Sequence, residues 1–407
     1  MEFKMKILVL TSHFPASDLP KDLTPVVYYF TKEWVRTGHS VMVVHNQTVF
    51  PSIVYLFLKS FNKLLASIVG YNFPTFKPKE IDYEVDGVKV FRRSMMKLLP
   101  KKKFVENSYV SQQKVIDKIL LDNDFMPDIV VAHWLTPQAA LLQYLKEKYK
   151  VPTCLVVHEN SPVLKRDYPE KWPVYVSNLD LVGYRSRPIK EAFIADHNIS
   201  GVKDFFCYSG VPREFIPSKW EKSFTKNKTY TFVGTLIKRK HPAAILDALS
   251  APENINSEWK LNYLGEGHLK KSLEKFSAKL GVNDKVFLRG RVPREEVNSV
   301  LMNTDVFVMI SETEAFGLVY LEAMANGCIT IASRNEGMDG VIKDGVNGFL
   351  CTAGDVEELK SIISKINSLS EQEIKEISYQ AFLTASNLTD EKVALNYVQH
   401  LEKCVSK

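Results

Sequence analysis

The stretch with the clearest chemical potential has two glutamates on either side of a glycine turn, Glu314-Ala-Phe-Gly-Leu-Val-Tyr-Leu-Glu322. A strand is predicted at Val306–Ile310 and a helix after Gly317. The first turn of a helix carries unpaired N–H groups and a partial positive charge, and glycine has no side chain to keep an anion away, so a diphosphate fits this turn. Glu314 and Glu322 suit sugar hydroxyls, because one carboxylate can accept two hydrogen bonds from neighbouring hydroxyls. The residues alone leave a second interpretation open, in which Glu314 is a loop residue and Glu322 lies on a solvated helix face.

The elements that would position this stretch alternate between short apolar β-rich runs and helical segments, which predicts α/β units with parallel sheets. Residues 1–210 form one predicted Rossmann-like domain, with strands at Ile7–Leu10, Ser40–His45, Val88–Arg92, Ile129–Ala132 and Thr153–Val157. Residues 219–385 form a second, with strands at Thr229–Val233, Lys260–Leu264, Val286–Arg289, Val306–Ile310 and Ile329–Ala332. Residues 389–407 are predicted to form a terminal helix that packs back toward the first domain. Two such domains facing across a cleft hold ligands at the carboxyl ends of their strands.

Composition narrows the class of protein. The chain has 407 residues, of which 45% are apolar and 25% charged, as in an ordinary globular protein of two domains. Its five cysteines form no close pair, which argues against a disulfide framework or a zinc site and favours a reducing, cytoplasmic environment. The first strand is not followed by G-x-G-x-x-G, and no G-x-x-x-x-G-K-[ST] occurs, so a dinucleotide oxidoreductase and a P-loop kinase are not indicated.

Positive charge is concentrated in residues 49–110, which hold eleven Lys/Arg and five Asp/Glu, whereas the chain as a whole carries +6. Residues 49–70 have the spacing of an amphipathic helix, with Val54, Phe57, Phe61, Leu65 and Ile68 on one side and Lys59, Lys63 and Ser67 on the other. A basic loop with Lys101, Lys102 and Lys103 follows. Apolar groups beside lysines predict docking on an anionic membrane surface, where the acceptor would lie. The alternative is a helix packed on its own domain beside a solvated loop. No nucleic-acid recognition motif accompanies the charge, so no nucleic-acid partner is expected.

The segment with the two glutamates resembles the E-x7-E element of the retaining glycosyltransferases of family four, which have the GT-B fold. The likeness covers nearly all of residues 229–366. It includes the strand before the element, the helix and strand after it, and the turn Asp344-Gly-Val-Asn-Gly-Phe-Leu350. Upstream, Phe232-Val-Gly-Thr-Leu-Ile-Lys-Arg-Lys240 is similar to the strand and lysine that open the family's donor domain.

The resemblance implies a role for each matching residue. Glu322 would hold the ribose hydroxyls of a nucleotide sugar, Glu314 would face the donor sugar, and Lys240 would neutralise the departing diphosphate. The backbone of Phe316, Gly317 and Leu318 would contact phosphate and sugar, beside the loop of Gly234 and Thr235. In the first domain, His158 would contact the donor sugar near the reacting carbon, whereas His133 is expected to be structural. No cofactor and no metal are expected.

Three departures from the family pattern stand out. Thr235 occupies the position where the family usually has an arginine, so Lys238 or Arg239 would have to supply that charge. Gly340 stands where a carboxylate is usual. The loop after the first strand has no glycine, and Thr24 and Pro25 are instead predicted to start a helix there.

The expected activity is transfer of a sugar, with retention, from a nucleotide diphosphate sugar, expected to be UDP-linked, to a glycan or lipid-linked acceptor. This implies surface-polysaccharide or glycolipid synthesis by a hexosyltransferase that is peripheral on the inner face of the cell membrane. Two alternatives remain: a non-catalytic GT-B partner that binds a nucleotide or glycan, and a sugar-nucleotide epimerase on the same fold.

Overall fold

The computed structural model describes residues 4–19, 25–69, 76–99, 102–159, 162–199, 201–225, 227–251, 254 and 258–406, with the backbone alone at 62–69. They form two sheets. The sequence predicts the alternation of strands and helices well because buried parallel strands are short, continuous apolar runs. In the first sheet, for example, the segments at residues 129–133 and 153–157 are buried along their whole length.

The N-terminal sheet has eight strands in the order β3-β4-β2-β1-β5-β6-β7-β8, and only β3 runs antiparallel to its neighbour. The strands are β1 Lys6–Thr11, β2 Ser40–Val49, β3 Ile81–Val85, β4 Val88–Met96, β5 Ile129–His133, β6 Thr153–Val157, β7 Leu181–Tyr184 and β8 Lys203–Phe206. The helices are α1 Val26–Arg36, α2 Ser52–Val69, α3 Glu106–Asp122, α4 Gln138–Tyr149, α5 Val163–Asp167, α6 Trp172–Ser177 and α7 Arg187–His197. Because the main strands are parallel, their carboxyl ends share one edge.

The C-terminal sheet has six parallel strands in the order β11-β10-β9-β12-β13-β14. These are β9 Lys228–Val233, β10 Trp259–Leu264, β11 Val286–Gly290, β12 Val306–Val308, β13 Ile329–Ser333 and β14 Phe349–Cys351. The helices are α8 Pro242–Leu249, α9 Lys270–Lys279, α10 Arg294–Met302, α11 Leu318–Ala325, α12 Val356–Ser368 and α13 Glu371–Ser386.

The last helix, α14 (Asp390–Val405), lies on the N-terminal domain. The Trp34 indole donates to the carbonyl of Ala394 at 3.1 Å, and Tyr397 packs edge-on against Trp34 and Phe30. The chain therefore crosses between the domains twice. The two crossings run side by side, since Val211 N–H bonds the carbonyl of Leu388 and Asp390 N–H bonds that of Val211.

The structure extends several predicted strands and adds others. β2 reaches Val49 and β4 reaches Met96, both beyond the predicted ends. β3, β7, β8 and β14 were not predicted. β3 and β8 include polar, exposed residues, and β7 and β14 have only four and three residues, so none gives a clear apolar run. The predicted strand at Val306–Ile310 ends at Val308. The helix predicted to begin at Thr24 and Pro25 begins at Val26, and Thr24 lies outside the described residues.

Candidate active site

The loop after β9 is held by backbone contacts that only glycine permits. Gly234 N–H bonds the carbonyl of Leu264, and Leu236 N–H bonds that of Glu266. A Cβ on Gly265 would lie 1.9 Å from the carbonyl oxygen of Gly234. The Gly265-Glu-Gly267 turn can therefore pack directly against the loop that carries Gly234 and Thr235.

The loop that carries Glu314 is fixed by a second carboxylate. Glu336 accepts the backbone N–H of Thr313 at 2.9 Å and that of Glu314 at 2.7 Å. Thr313 has a φ of 55°, a left-handed conformation that costs a residue with a Cβ about 1–2 kcal/mol. Burial raises the pKa of Glu336, while these two N–H groups oppose the rise. The strain at Thr313 is thus offset by bonds that also aim Glu314.

The side chains of Glu314 and Lys240, both predicted to belong to a donor site, lie close together. Lys240 Nζ lies 3.5 Å from Glu314 Oε2, and Ser311 Oγ donates to the same oxygen at 3.2 Å. Arg239 approaches this oxygen too, at 3.7 Å. Lys240 also lies against Gly234, where an added Cβ would be 3.1 Å from Nζ.

Gly317 opens the turn into α11. Its φ is 85°, and a Cβ there would lie 2.5 Å from the ring of Tyr320. Among the described residues no side chain caps the start of α11, which leaves N–H groups of its first turn for a ligand, the role predicted for the backbone of Leu318. Phe316 is 3% exposed and stacks on Tyr208 of the N-terminal domain with ring centroids 5.4 Å apart.

Glu322 is buried on α11, and its carboxylate is bonded to an arginine that sequence reasoning missed. Arg294, the first residue of α10, donates to Glu322 Oε1 from Nε at 2.9 Å and from Nη2 at 2.6 Å. A third bond of 2.8 Å runs from Arg294 Nη1 to the hydroxyl of Tyr29, on α1 of the other domain. The solvated-face interpretation of Glu322 is wrong, since the residue is 5% exposed.

His158 lies at the carboxyl end of β6 and pairs with His133 at the end of β5. Nδ1 of His133 and Nε2 of His158 share a hydrogen bond of 2.9 Å. Trp134 stacks on His158, with centroids 4.1 Å apart and planes 16° apart. Burial, followed by the charge of nearby Arg185, lowers the pKa of His133 to about 3. Burial also holds the pKa of His158 well below its usual range. Both rings are therefore neutral near pH 7.

Arg185 connects the histidine pair with the glycine turn of the other domain. Its guanidinium donates to the carbonyl of Cys207 at 2.5 Å and to the hydroxyl of Ser209, and it lies 5.3 Å from the ring centroid of Phe316. The same charge contributes to the low pKa of His158. The histidine predicted to contact the donor sugar and the predicted donor turn are thus both influenced by one buried cation.

The departures from the family pattern have local explanations. Thr235 carries no charge, and of the two suggested substitutes Arg239 contacts Glu314, whereas Lys238 is exposed. Gly340 has a φ of 103° and lies against Arg187, which bonds Asp339 at 2.6 Å across the cleft. Within the described ranges, no group of three or more His, Cys, Asp or Glu residues could hold a metal ion.

The basic segment exposes an apolar surface rather than a polar one. Among the residues of α2 with described side chains, Tyr55 and Leu58 are buried, while Ile53, Leu56, Phe57 and Phe61 are exposed on the opposite face. Of the predicted apolar row with described side chains, Phe57 and Phe61 are exposed, whereas Val54 is half-buried against Tyr55 and Leu58. Lys59, Lys102 and Lys103 are exposed. The side chain of Lys63 and the whole of Lys101 lie outside the described residues.

This apolar surface adjoins the cleft edge of the sheet. α2 follows the carboxyl end of β2, and the Lys97–Lys103 loop follows that of β4, with Lys97 N–H bonded to the carbonyl of Val49. Leu98 and Leu99 in this loop are 60% and 52% exposed. Within the described residues, no helix is both long enough and apolar enough to span a bilayer.

Comparison with known proteins bears on the class of this chain. Residues 214–381 match the family model described as Glycosyl transferases group 1. An uncharacterized glycosyltransferase of Methanocaldococcus jannaschii is 28% identical over 271 residues, which are 66% of this chain and 73% of that protein. The chain spans less than half the length of several other curated relatives that it matches.

Solved structures confirm the predicted fold. A glycosyltransferase from Rickettsia africae superposes with a TM-score of 0.72 at 17% identity, covering 99% of both chains. HepE from Anabaena, solved in complex with UDP and glucose, gives 0.64 at 16% identity over 98% of this chain and 100% of that one. The architecture is the α/β GT-B fold of two Rossmann-like halves. Together, the fold and the family match support a GT-B glycosyltransferase as the class of this protein.

Proposed function

We propose that this protein transfers a sugar from a nucleotide diphosphate sugar, UDP-linked, to a lipid-linked acceptor at an anionic membrane, with retention at the anomeric carbon. The observation that carries the donor half is the convergence of Lys240, Glu314 and the uncapped start of α11 around one glycine turn. Cationic side chains and free N–H groups stabilise a diphosphate, and charge on its oxygens grows as it departs.

The proposed reaction is a displacement on one face of the sugar. The acceptor oxygen bonds the anomeric carbon as the bond from that carbon to the phosphate oxygen breaks, and the acceptor proton passes to the departing phosphate. Glu314 binds donor sugar hydroxyls, Glu322 binds the ribose, and neutral His158 contacts the sugar near the reacting carbon. Side-chain cations balance the charge of the leaving group, so the reaction proceeds without a metal.

The acceptor half rests on the exposed apolar face of α2 and on exposed Leu98 and Leu99, which follow β4. Among the described side chains, four apolar residues on α2 and two after β4 are exposed at the cleft edge of the sheet, with lysines beside them. Such a surface buries its apolar groups in the headgroup region, while the lysines attract anionic lipids. The enzyme is accordingly proposed to be cytoplasmic and peripheral, in surface-polysaccharide or glycolipid synthesis.

A donor panel tests the transferase. Purified full-length protein is incubated with UDP-, GDP- and ADP-sugars and lipid acceptors in vesicles, and nucleoside diphosphate release is measured with and without EDTA. UDP release that EDTA does not reduce, with a product whose anomeric proton shows the donor's configuration by NMR, supports the proposal. Acceptor-dependent transfer with inversion would overturn retention, and conversion of the donor sugar without transfer would favour the epimerase.

Vesicle flotation tests the membrane surface. Phe57→Asp should reduce flotation with phosphatidylcholine vesicles that contain phosphatidylglycerol. Leu121→Asp is the matched control, because Leu121 is 82% exposed on α3, away from this surface. Failure of the wild type to float with anionic vesicles would overturn the membrane assignment, and so would an equal loss in both variants.

A further inference from the structure

Three consecutive cations, Lys238, Arg239 and Lys240, form a single 3-10 turn after β9. They are not equivalent in their surroundings. Lys238 is exposed and has no ion pair within the described residues, whereas Arg239 and Lys240 both point toward Glu314. The side chain of Lys240 is 13% exposed and that of Arg239 is 40% exposed.

Neither cation is tightly bound to Glu314. Their nitrogens lie 3.7 Å and 3.5 Å from Oε2, beyond the roughly 2.7–2.9 Å of a charge-assisted hydrogen bond. Arg239 is oriented instead by a bond of 3.1 Å from Nη1 to the backbone carbonyl of Glu312. Lys240 Nζ also lies 3.5 Å from Met309 Sδ. Within the described residues, the two cations thus approach one carboxylate without a short hydrogen bond to it.

The other two nearby carboxylates are engaged elsewhere. The Glu312 carboxylate lies 3.0 Å from Nε2 of His241, and that of Glu336 accepts two backbone N–H groups. Among the described residues Glu314 alone contacts both cations, and this limits their mutual repulsion when no anion is present. A bound diphosphate would also reduce the repulsion between the two cations, since its oxygens accept several hydrogen bonds at once.

We propose that Arg239 is a second catalytic cation that binds the departing diphosphate together with Lys240. This inference rests on the proposed function. The planar guanidinium of Arg239 can donate hydrogen bonds to two phosphate oxygens, while the ammonium of Lys240 acts as a point charge. On donor binding both cations exchange Glu314 for phosphate, and this frees Glu314 for the donor sugar. Thr235 carries no charge, so the positive charge at this end of β9 comes from the 3-10 turn.

The test compares Arg239→Ala, Arg239→Lys and Lys238→Ala, the last as a control of equal charge from the same turn. Sugar transfer is measured at steady state, and UDP and UMP binding by calorimetry. Arg239→Ala should lower kcat by about a hundredfold, the loss typical of one donor to developing charge. It should weaken UDP binding about tenfold, while UMP binding stays unchanged. Arg239→Lys should recover part of both losses, and Lys238→Ala should match the wild type.

Equal behaviour of Arg239→Ala and Lys238→Ala would overturn the proposal, as would an equal loss of UDP and UMP affinity. Thermal unfolding of each variant shows whether a loss reflects folding, and recovery by Arg239→Lys identifies the role of charge. If the wild type binds UDP but transfers no sugar, the transferase assignment fails while UDP binding still decides the role of Arg239. Absence of nucleotide binding by the wild type would overturn both.

Discussion

Arg294 donates two hydrogen bonds to a single oxygen of Glu322 and a third to the hydroxyl of Tyr29 in the other domain. The carboxylate proposed to hold the ribose is therefore oriented by a side chain from the neighbouring helix. Oε2 of Glu322 has no hydrogen-bond partner within the described residues, which leaves it for a ligand. The same guanidinium spans the cleft.

Replacing Arg294 should disorder the ribose site. In Arg294→Ala the buried Glu322 carboxylate loses its partner, so UDP binding should weaken about tenfold, equivalent to about 1.4 kcal/mol, with a lower free energy of unfolding. Calorimetry and urea unfolding measure the two effects. Tyr29→Phe is the control, since it removes only the bond between domains. Comparable UDP affinities for Arg294→Ala and the wild type would show that Glu322 needs no orienting partner.

Lys240 should act on turnover more than on donor binding. Negative charge on the diphosphate is greater in the transition state than in the bound donor, so Lys240→Ala should lower kcat by about 10²–10³-fold. The KM for the donor should change much less. Steady-state kinetics with varied donor provide the measurement. A raised KM with an unchanged kcat would mean that Lys240 contributes only to ground-state binding.

The glycine turn tolerates no side chain. Gly317→Ala adds both left-handed strain, about 1–2 kcal/mol, and a clash with the ring of Tyr320. Donor binding should be lost. Gly281→Ala is matched in strain, because Gly281 has a φ of 69°, but an added Cβ there would meet nothing within 4 Å. Only Gly317→Ala should abolish UDP binding in calorimetry, while both lower thermal stability. Intact binding in Gly317→Ala would disprove the role assigned to the turn.

The buried histidine pair should make stability depend on pH. An unfolded histidine takes up a proton near pH 6.5, whereas burial lowers the pKa of folded His133 to about 3. Its contribution to stability is therefore present above pH 6.5 and is lost progressively as the pH falls toward 3. Unfolding by urea at pH 7.5, 6 and 5 should show a steeper loss for the wild type than for His133→Phe. Parallel losses in the two proteins would indicate that His133 titrates normally when folded.

Sequence patterns predicted the parts of the fold that depend on local periodicity. The buried strands follow from short apolar runs, and local spacing indicates the glycine turn between two glutamates, whereas the roles of Glu314 and Glu322 were implied by the resemblance to a known family. Arg294 could not be found this way, because its contact with Glu322 depends on how α10 packs beside α11. The residues around Arg294 in the sequence do not indicate that Glu322 lies beside it.

The sequence also does not predict which face of α2 packs on the domain. Apolar residues also occur outside the predicted apolar side, at Tyr55, Leu56 and Leu58, so periodicity cannot tell which face packs on the domain and which is exposed. The structure resolves this through Tyr55 and Leu58, which pack with Phe50. A similar ambiguity applied to Lys238 and Arg239, adjacent cations that the 3-10 turn directs to different surroundings.

Both α2 and the exposed leucines after β4 lie at the cleft edge, and their position has a consequence for acceptor choice. If this surface rests on lipid headgroups, the mouth of the cleft is held at a fixed height above the bilayer. Acceptors then diffuse in two dimensions, and only those whose terminal hydroxyl stands at that height can reach the donor. The protein would measure the length of a growing glycan from its lipid end, selecting an early step of assembly by distance as well as by the identity of the sugar.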